Sequence, residues 1–138
     1  MPGARSSPVE RLRRICLALP ETSEKVSHGE PTWWVGRKMF ATLDDHHHGA
    51  AHLAVWLAAP LLTQELLVQQ DSKRFFVPPY VGPRGWVGVR IDGRPSWRQV
   101  ETLVRDAWAH VAPPKIYQAH AAALALRELP VRPMQLRR

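Results

Sequence analysis

The sequence predicts a single α+β domain, built as an antiparallel sheet with helices packed on one face. Three observations predict it. The chain has 138 residues, a length that suits one compact domain. Short stretches of alternating apolar and polar residues follow one another, with connections too short for crossover helices. Helical stretches flank this run of strands, which gives the order α-β-β-β-β-α-β-α-α and favours segregated helices and strands.

The first helix is predicted to begin after Ser7. Ser7 and Glu10 form a capping box, and Pro8 suits the first helical position. Pro20 ends the helix. Its apolar stripe recurs at helical spacing and consists of Val9, Leu12, Ile15, Cys16 and Leu19.

Four strands are predicted next, at residues 25–28, 32–35, 38–44 and 53–57. The third and fourth show the alternation of a strand with two different faces. Gly36 and Arg37 form a tight turn, and a polar loop follows the third strand. These short turns indicate an antiparallel meander.

A second helix is predicted to begin at Pro60 and to run through about Gln70, with Leu62 and Leu66 on its apolar face. Residues 75–77 are compatible with a short strand. Residues 78–85, Pro-Pro-Tyr-Val-Gly-Pro-Arg-Gly, form a stiff loop. A further strand at residues 86–92 alternates again.

Two helices complete the predicted fold. Ser96 and Gln99 form a capping box for the third helix, which ends at the Pro113-Pro114 pair. The fourth helix is alanine-rich and is predicted from Ile116 to about Leu129, where Pro130 stops it.

The chain is expected to divide into a flexible N-terminus (residues 1–7), the domain itself (residues 8–129) and a basic C-terminal tail (residues 130–138). A hydrophobic content of 45% argues against a disordered chain, and a single cysteine excludes an intramolecular disulfide. No apolar run reaches the roughly 18 residues of a membrane span. A cytoplasmic protein without membrane association is expected, with a monomer favoured.

The charge balance is strongly basic and uneven. The net charge is +7, with a sequence pI near 10.5. Residues 1–72 carry 7 basic and 8 acidic groups, whereas residues 73–138 carry 12 basic and 4 acidic groups. If folding gathers the excess cations on one surface, a nucleic acid is the partner that such a surface favours.

Basic and aromatic residues interleave between Lys73 and Arg98, and this pattern suits binding to DNA. Arginine binds phosphate bidentately, while flat rings stack on bases or insert at base steps. Trp86 is the ring expected to stack or wedge, although it could equally lie beneath a basic side chain as structural cover. The expected phosphate contacts are Arg37, Lys38, Lys73, Arg74, Arg84 and Arg90. Binding should be weak, salt-sensitive and mostly independent of sequence.

An alternative interpretation is a module that binds a small molecule or a protein without catalysis. The open face of the sheet, beside the loop at residues 78–86, could form a concave, partly aromatic pocket. Trp56, Tyr80 and Trp86 would line it.

Four clustered histidines, His46, His47, His48 and His52, raise the question of a metal. Imidazole is a common ligand for zinc, copper and nickel. However, the stretch lies in a loop leading into a strand, and no CxxC or HExxH motif accompanies it. No functional metal site and no cofactor are therefore predicted.

No catalytic residues are predicted either. Cys16 lies on an apolar helix face, where a thiol is usually inert. Asp44 and Asp45 fit solvated acids at a strand end, and neither a nucleophile elbow nor a phosphate-binding loop is present. Only convergence of His28 and these two acids near Lys38 would indicate an enzyme.

Three segments carry a resemblance to a known family: His28-Gly29-Glu30-Pro31-Thr32-Trp33, residues 36–41 (Gly-Arg-Lys-Met-Phe-Ala), and residues 76–87, which contain Pro78-Pro79-Tyr80-Val81-Gly82. In this order they resemble the MmcQ/YjbR family, over about residues 8 to 126. The resemblance implies a compact α+β fold similar to frataxin-like and secretion-chaperone-like sheets, often called a double-wing DNA-binding domain. It therefore implies DNA as partner, and it supplies no set of catalytic residues.

Overall fold

The computed structural model describes residues 7–46 and 52–128, which form one α+β domain. The predicted fold class and element order are confirmed, with the short strand near residue 75 now included. The elements are α1 (Pro8–Leu17), β1 (Thr22–Ser27), β2 (Glu30–Val35), β3 (Lys38–Asp45), β4 (Leu53–Leu57), α2 (Leu61–Gln70), β5 (Phe75–Phe76), β6 (Val87–Arg90), α3 (Trp97–Val111) and α4 (Pro114–Glu128).

The six strands form one antiparallel sheet in the order β1-β2-β3-β4-β6-β5. The first four strands follow chain order as the predicted meander. Two-residue turns join β1 to β2 and β2 to β3: His28 and Gly29 have φ of +52° and +82°, as a type I′ hairpin turn requires, and Gly36 has φ of +61°. Strand β6 then lies between β4 and β5.

One face of the sheet forms the core with the helices. The strand register aligns Trp33, Ala41, Leu57 and Val87 in a row across four strands, and all four are buried. Buried residues of α3, including Trp108, pack over this face. Burial of large apolar side chains on this side supplies the main stabilisation of the domain.

Helix α1 is attached to the sheet through a carboxylate. The Arg13 guanidinium donates to Glu24 at 2.8 and 3.0 Å, and the Trp33 indole N–H donates to Glu24 Oε1 at 2.9 Å. The Arg13 guanidinium therefore holds the pKa of Glu24 below its ordinary value. Cys16 on the same helix is fully buried, as predicted for this apolar helix face, and burial raises the pKa of its thiol.

The serines of both predicted capping boxes cap their helices as expected. The Ser7 hydroxyl accepts from the Glu10 amide at 3.1 Å, and the Ser96 hydroxyl accepts from the Gln99 amide at 3.2 Å. None of the helices in residues 7–46 and 52–128 combines the length and apolar character needed to cross a bilayer.

The predicted apolar face of α2 is wrong. Leu62 and Leu66 are 65% and 48% exposed, whereas Gln64 is buried. The Gln64 amide donates to the Gly82 carbonyl at 2.8 Å and to the Trp86 carbonyl at 2.7 Å. Because buried carbonyl groups need hydrogen-bond donors, the helix turns its amide rather than its leucines toward the loop at residues 77–86.

Candidate functional site

The face of the sheet opposite α1 and α3 is partly open. The register places Thr32, Thr42, Trp56 and Gly88 in one row on this face, with Phe76 beside Gly88 at the sheet edge. A Cβ atom at position 88 would displace the Phe76 ring, which occupies that space. The loop at residues 77–86 reaches over part of this face.

A pocket of about 300 Å³ lies between this face, the β1–β2 turn and the loop, and is called the open-face pocket below. Apolar side chains dominate its lining, with hydroxyl, imidazole and carboxylate groups at its edge. The lining residues are Ser27, His28, Glu30, Met39, Thr42, Leu43, Trp56, Tyr80 and Val81.

Two residues at the edge of the pocket have unusual backbone conformations. Among the described residues, only four other than glycine have positive φ, and two of them, His28 (+52°) and Tyr80 (+65°), line this pocket. A left-handed conformation costs a residue with a side chain about 1–2 kcal/mol. Tyr80 is also 74% exposed, so its ring stands at the entrance rather than in the core.

Trp56, by contrast, is held rigidly in the pocket lining. It is 8% exposed, and its indole N–H donates to Asp44 Oδ2 at 2.9 Å. His52 Nε2 lies 3.0 Å from the same oxygen. Asp44 is only 2% exposed, so the expectation of a solvated acid at this position is wrong. The buried carboxylate fixes the plane of the indole ring.

The structure brings together two of the three residues predicted to line such a pocket. Trp56 and Tyr80 both line it, but Trp86 is not among the lining residues and is 3% exposed. The Arg84 guanidinium lies 5.8 Å from the centroid of the Trp86 ring. Trp86 is therefore structural cover under a basic side chain, and its burial removes it from the surface expected to contact bases.

Sequence reasoning did not assign His28, Glu30 or Met39 to this pocket. The signal was present, since all three segments that carry the family resemblance contribute to the lining. The first segment supplies His28 and Glu30, the second supplies Met39, and the third supplies Tyr80 and Val81.

The predicted phosphate-binding residues divide into two groups by accessibility. Arg37, Lys38, Lys73 and Arg84 are exposed. Arg74 instead donates to the carbonyls of Arg90 and Asp92, both at 2.9 Å, which holds β5 against β6. The Arg90 guanidinium lies 5.9 Å from the centroid of the Phe76 ring, and its Nε is buried.

Two of these cations, Lys38 and Arg90, lie toward opposite ends of the sheet. Lys38 begins β3, whereas Arg90 is aligned through Ala54 with Asp44 near the other end of that strand. Lys38 and Asp44 are six residues apart along β3, which corresponds to about 20 Å at roughly 3.3 Å per residue. The same separation keeps Lys38 away from Asp44, so the arrangement that would have indicated an enzyme does not form.

The histidine cluster is only partly within the described residues, since His47 and His48 lie outside them. His46 Nδ1 lies 2.6 Å from Asp45 Oδ1, and His52 contacts Asp44. In the part of the chain that the structure describes, no group of three or more His, Cys, Asp or Glu side chains has a metal-binding arrangement.

A larger cleft of about 560 Å³ lies on the helical side of the sheet, between the end of β4, α3 and α4. Leu57, Leu103 and Tyr117 line it. It is the more open of the two cavities and lacks the fixed indole of the open-face pocket, so the latter is the better candidate for a ligand site.

Comparison with known proteins identifies relatives by family and by fold. The family model described as YjbR matches residues 17–110, more than half of the chain. The fold is similar to a crystal structure of Deinococcus radiodurans protein DR2400, described by the domain DUF419. The TM-score is 0.68 at 20% sequence identity, and the match covers 83% of this chain and 91% of that chain. None of the curated proteins compared with it matches the chain significantly.

Proposed function

The chain belongs to the YjbR family, and from that premise we propose that it is a binding protein whose open-face pocket takes a small, flat, largely apolar molecule. The observation that carries the proposal is the pocket itself, with a fixed indole in its lining and an exposed tyrosine at its entrance. The proposal involves no covalent step and no cofactor.

The size and lining of the pocket support a small ligand. Ligand sites are usually concave, mostly apolar and larger than about 300 Å³, with a few polar groups that fix orientation. The open-face pocket lies at the lower end of this range. A ligand of one or two rings would fit, and a peptide or a large cofactor would not.

The contacts available in the pocket support an aromatic rather than an aliphatic ligand. Trp56 and Tyr80 offer ring faces and edges, and Met39 offers a polarisable thioether. The Ser27 hydroxyl, which lies within hydrogen-bond distance of the His28 ring, stands at the rim. One polar group on the ligand would be oriented toward this rim.

The two tyrosines of the chain provide a matched test. Prodan (6-propionyl-2-dimethylaminonaphthalene), a neutral, flat probe with two fused rings, is titrated into the protein while its fluorescence is followed. Replacing Tyr80, at the entrance, with alanine should weaken binding about tenfold, since an aromatic contact at a binding site is worth about 1–2 kcal/mol. Replacing Tyr117, which is 43% exposed and lines the other cleft, should change affinity less than about twofold.

Loss of affinity in Tyr117→Ala with none in Tyr80→Ala would place the probe in the helical-side cleft and contradict the proposal. Equal affinity of the wild type and both variants for the probe would also contradict the proposal. Melting temperatures of the variants separate lost binding from lost structure.

DNA binding is the second candidate function, and the exposed cations support it. The net charge is +7, and Arg37, Lys38, Lys73 and Arg84 are accessible. Trp86 and the two arginines engaged within the sheet no longer contribute to this proposal. Four phosphate contacts would give weak binding in which log K falls with log salt at a slope of about −3.6 for duplex DNA.

Fluorescence anisotropy with a labelled duplex at two salt concentrations tests the DNA proposal. Arg37→Ala should reduce the magnitude of the slope by about 0.9, because one phosphate contact is lost. Arg98→Ala removes an exposed charge outside the predicted set and should leave the slope unchanged. If the affinity did not depend on salt concentration, or if the slope changed equally in both variants, these residues would be excluded as the contact surface.

A further inference from the structure

A third cavity, separate from the open-face pocket and from the helical-side cleft, lies where α1 and the first turn of α3 approach the end of the sheet. Its volume is about 560 Å³, and it is called the arginine cleft below. Three arginines and no carboxylate are among its lining residues, which are Pro8, Arg11, Arg14, Ile91, Gly93, Arg94, Pro95 and Trp97.

The cleft gathers positive charge from distant parts of the sequence. Arg11 and Arg14 come from α1, and Arg94 comes from the connection between β6 and α3. Arg11 and Arg94 are both exposed, and the Arg11 guanidinium lies 4.9 Å from the centroid of the Trp97 ring. The aromatic face holds this guanidinium in place, and Arg14 already interacts with another group of the protein.

Among the described residues, no acid lines the cleft to offset these charges. Glu10 precedes Arg11 and Asp92 precedes Gly93 in the sequence, but neither is among the lining residues, and Asp92 Oδ2 accepts from the Leu53 amide at 3.1 Å. Guanidinium groups that share a cleft repel one another, and an anion placed between them would relieve that repulsion.

We propose that the arginine cleft binds a small anion that carries a diphosphate group. Arginine presents a planar fork that matches phosphate oxygens bidentately. Two or three guanidinium groups suit a multiply charged anion better than a single carboxylate. The cleft is large enough for two linked phosphates, and it is open enough for one end of the ligand to carry another group.

Isothermal titration of the full-length protein with inorganic diphosphate, without added metal, tests the proposal. Arg11→Gln combined with Arg94→Gln should weaken binding by about tenfold or more, because the charge-assisted hydrogen bonds from both guanidinium groups are lost. The matched control combines Lys25→Gln with Lys115→Gln. It removes the same net charge from exposed positions outside the cleft and should change affinity less than about twofold.

Two further arms make the result decisive. Arg94→Gln alone should still weaken binding if the double variant does not fold, because Arg94 is exposed and lies outside the helices. Adenosine diphosphate is titrated beside inorganic diphosphate. Equal affinity identifies the free anion as the ligand, tighter binding of the nucleotide identifies a nucleoside diphosphate, and both support the proposal.

Other outcomes overturn it. An equal loss in the cleft variant and the control would show general attraction to a basic protein. A wild-type Kd above about 1 mM would show that the cleft is not a specific site for the anion. Lost affinity for duplex DNA with unchanged affinity for diphosphate would assign the cleft to a nucleic acid.

Discussion

Replacing Gly85 with alanine is expected to lower the free energy of unfolding by about 3 kcal/mol or more. Gly85 has φ of +97°, in the left-handed region that favours glycine. A Cβ atom there would overlap the Ala59 carbonyl oxygen and lie 2.8 Å from the Leu61 nitrogen. Both neighbours are backbone atoms at the junction of β4 and α2, so no side-chain rotation can relieve the overlap.

Gly93 is the matched control for this prediction. It also has positive φ, +65°, but nothing lies within 4 Å of the Cβ position. Gly93→Ala should therefore cost only the conformational penalty, about 1–2 kcal/mol. Chemical denaturation of both variants measures the difference. Equal losses would show that the approach of Gly85 to the β4–α2 junction contributes nothing to stability.

The Gly85 substitution should also disturb ligand binding, because the residue closes the loop that carries Tyr80 and Val81. The Gly85 amide donates to the Gly82 carbonyl at 2.9 Å, and Gln64 holds the same carbonyl from α2. The shape of the open-face pocket thus depends on a glycine that is not among its lining residues.

Local features of the sequence predicted the fold well. Ser7 and Ser96 cap their helices because side-chain hydroxyls satisfy free amide groups within three residues. The meander was predictable because the turns at Gly29 and Gly36 leave no room for crossovers. Each of these features depends on residues close together in the sequence.

The features that failed to be predicted depend on contacts across the fold. Gln64 is buried because two carbonyl groups from a distant loop need its amide. Trp86 is buried because the chain covers it, although its place at a loop-to-strand junction suggested exposure. The arginine cleft escaped prediction for the same reason, since α1 and Arg94 are far apart in the sequence and only the fold brings them together.

The open-face pocket was predictable only in part. Alternation placed Trp56 on the face opposite the core, and the resemblance singled out the segments that contain His28, Met39 and Tyr80. What the sequence could not show is that the loop folds back over the sheet, bringing Tyr80 and Trp56 into one lining. Two of the three residues predicted to line the pocket therefore do so, and it is the fold that brings them together.

Asp44→Ala should cost about 3 kcal/mol in the free energy of unfolding, because it leaves buried donors without an acceptor. The Trp56 indole and His52 both lie within hydrogen-bond distance of Asp44 Oδ2. Asp45 is adjacent in sequence, points to the other side of the strand and has a side chain that is 54% exposed. Asp45→Ala removes the same charge and should cost less than about 1 kcal/mol.

The same pair of variants connects stability to the proposed function. Without Asp44 the Trp56 ring loses the contact that fixes its plane, so the affinity for Prodan should fall in Asp44→Ala under conditions where the variant is still folded. Asp45→Ala should bind the probe as the wild type does. If Asp44→Ala were destabilised but bound the probe with unchanged affinity, the carboxylate would serve the fold alone, and the orientation of the indole would not determine ligand binding.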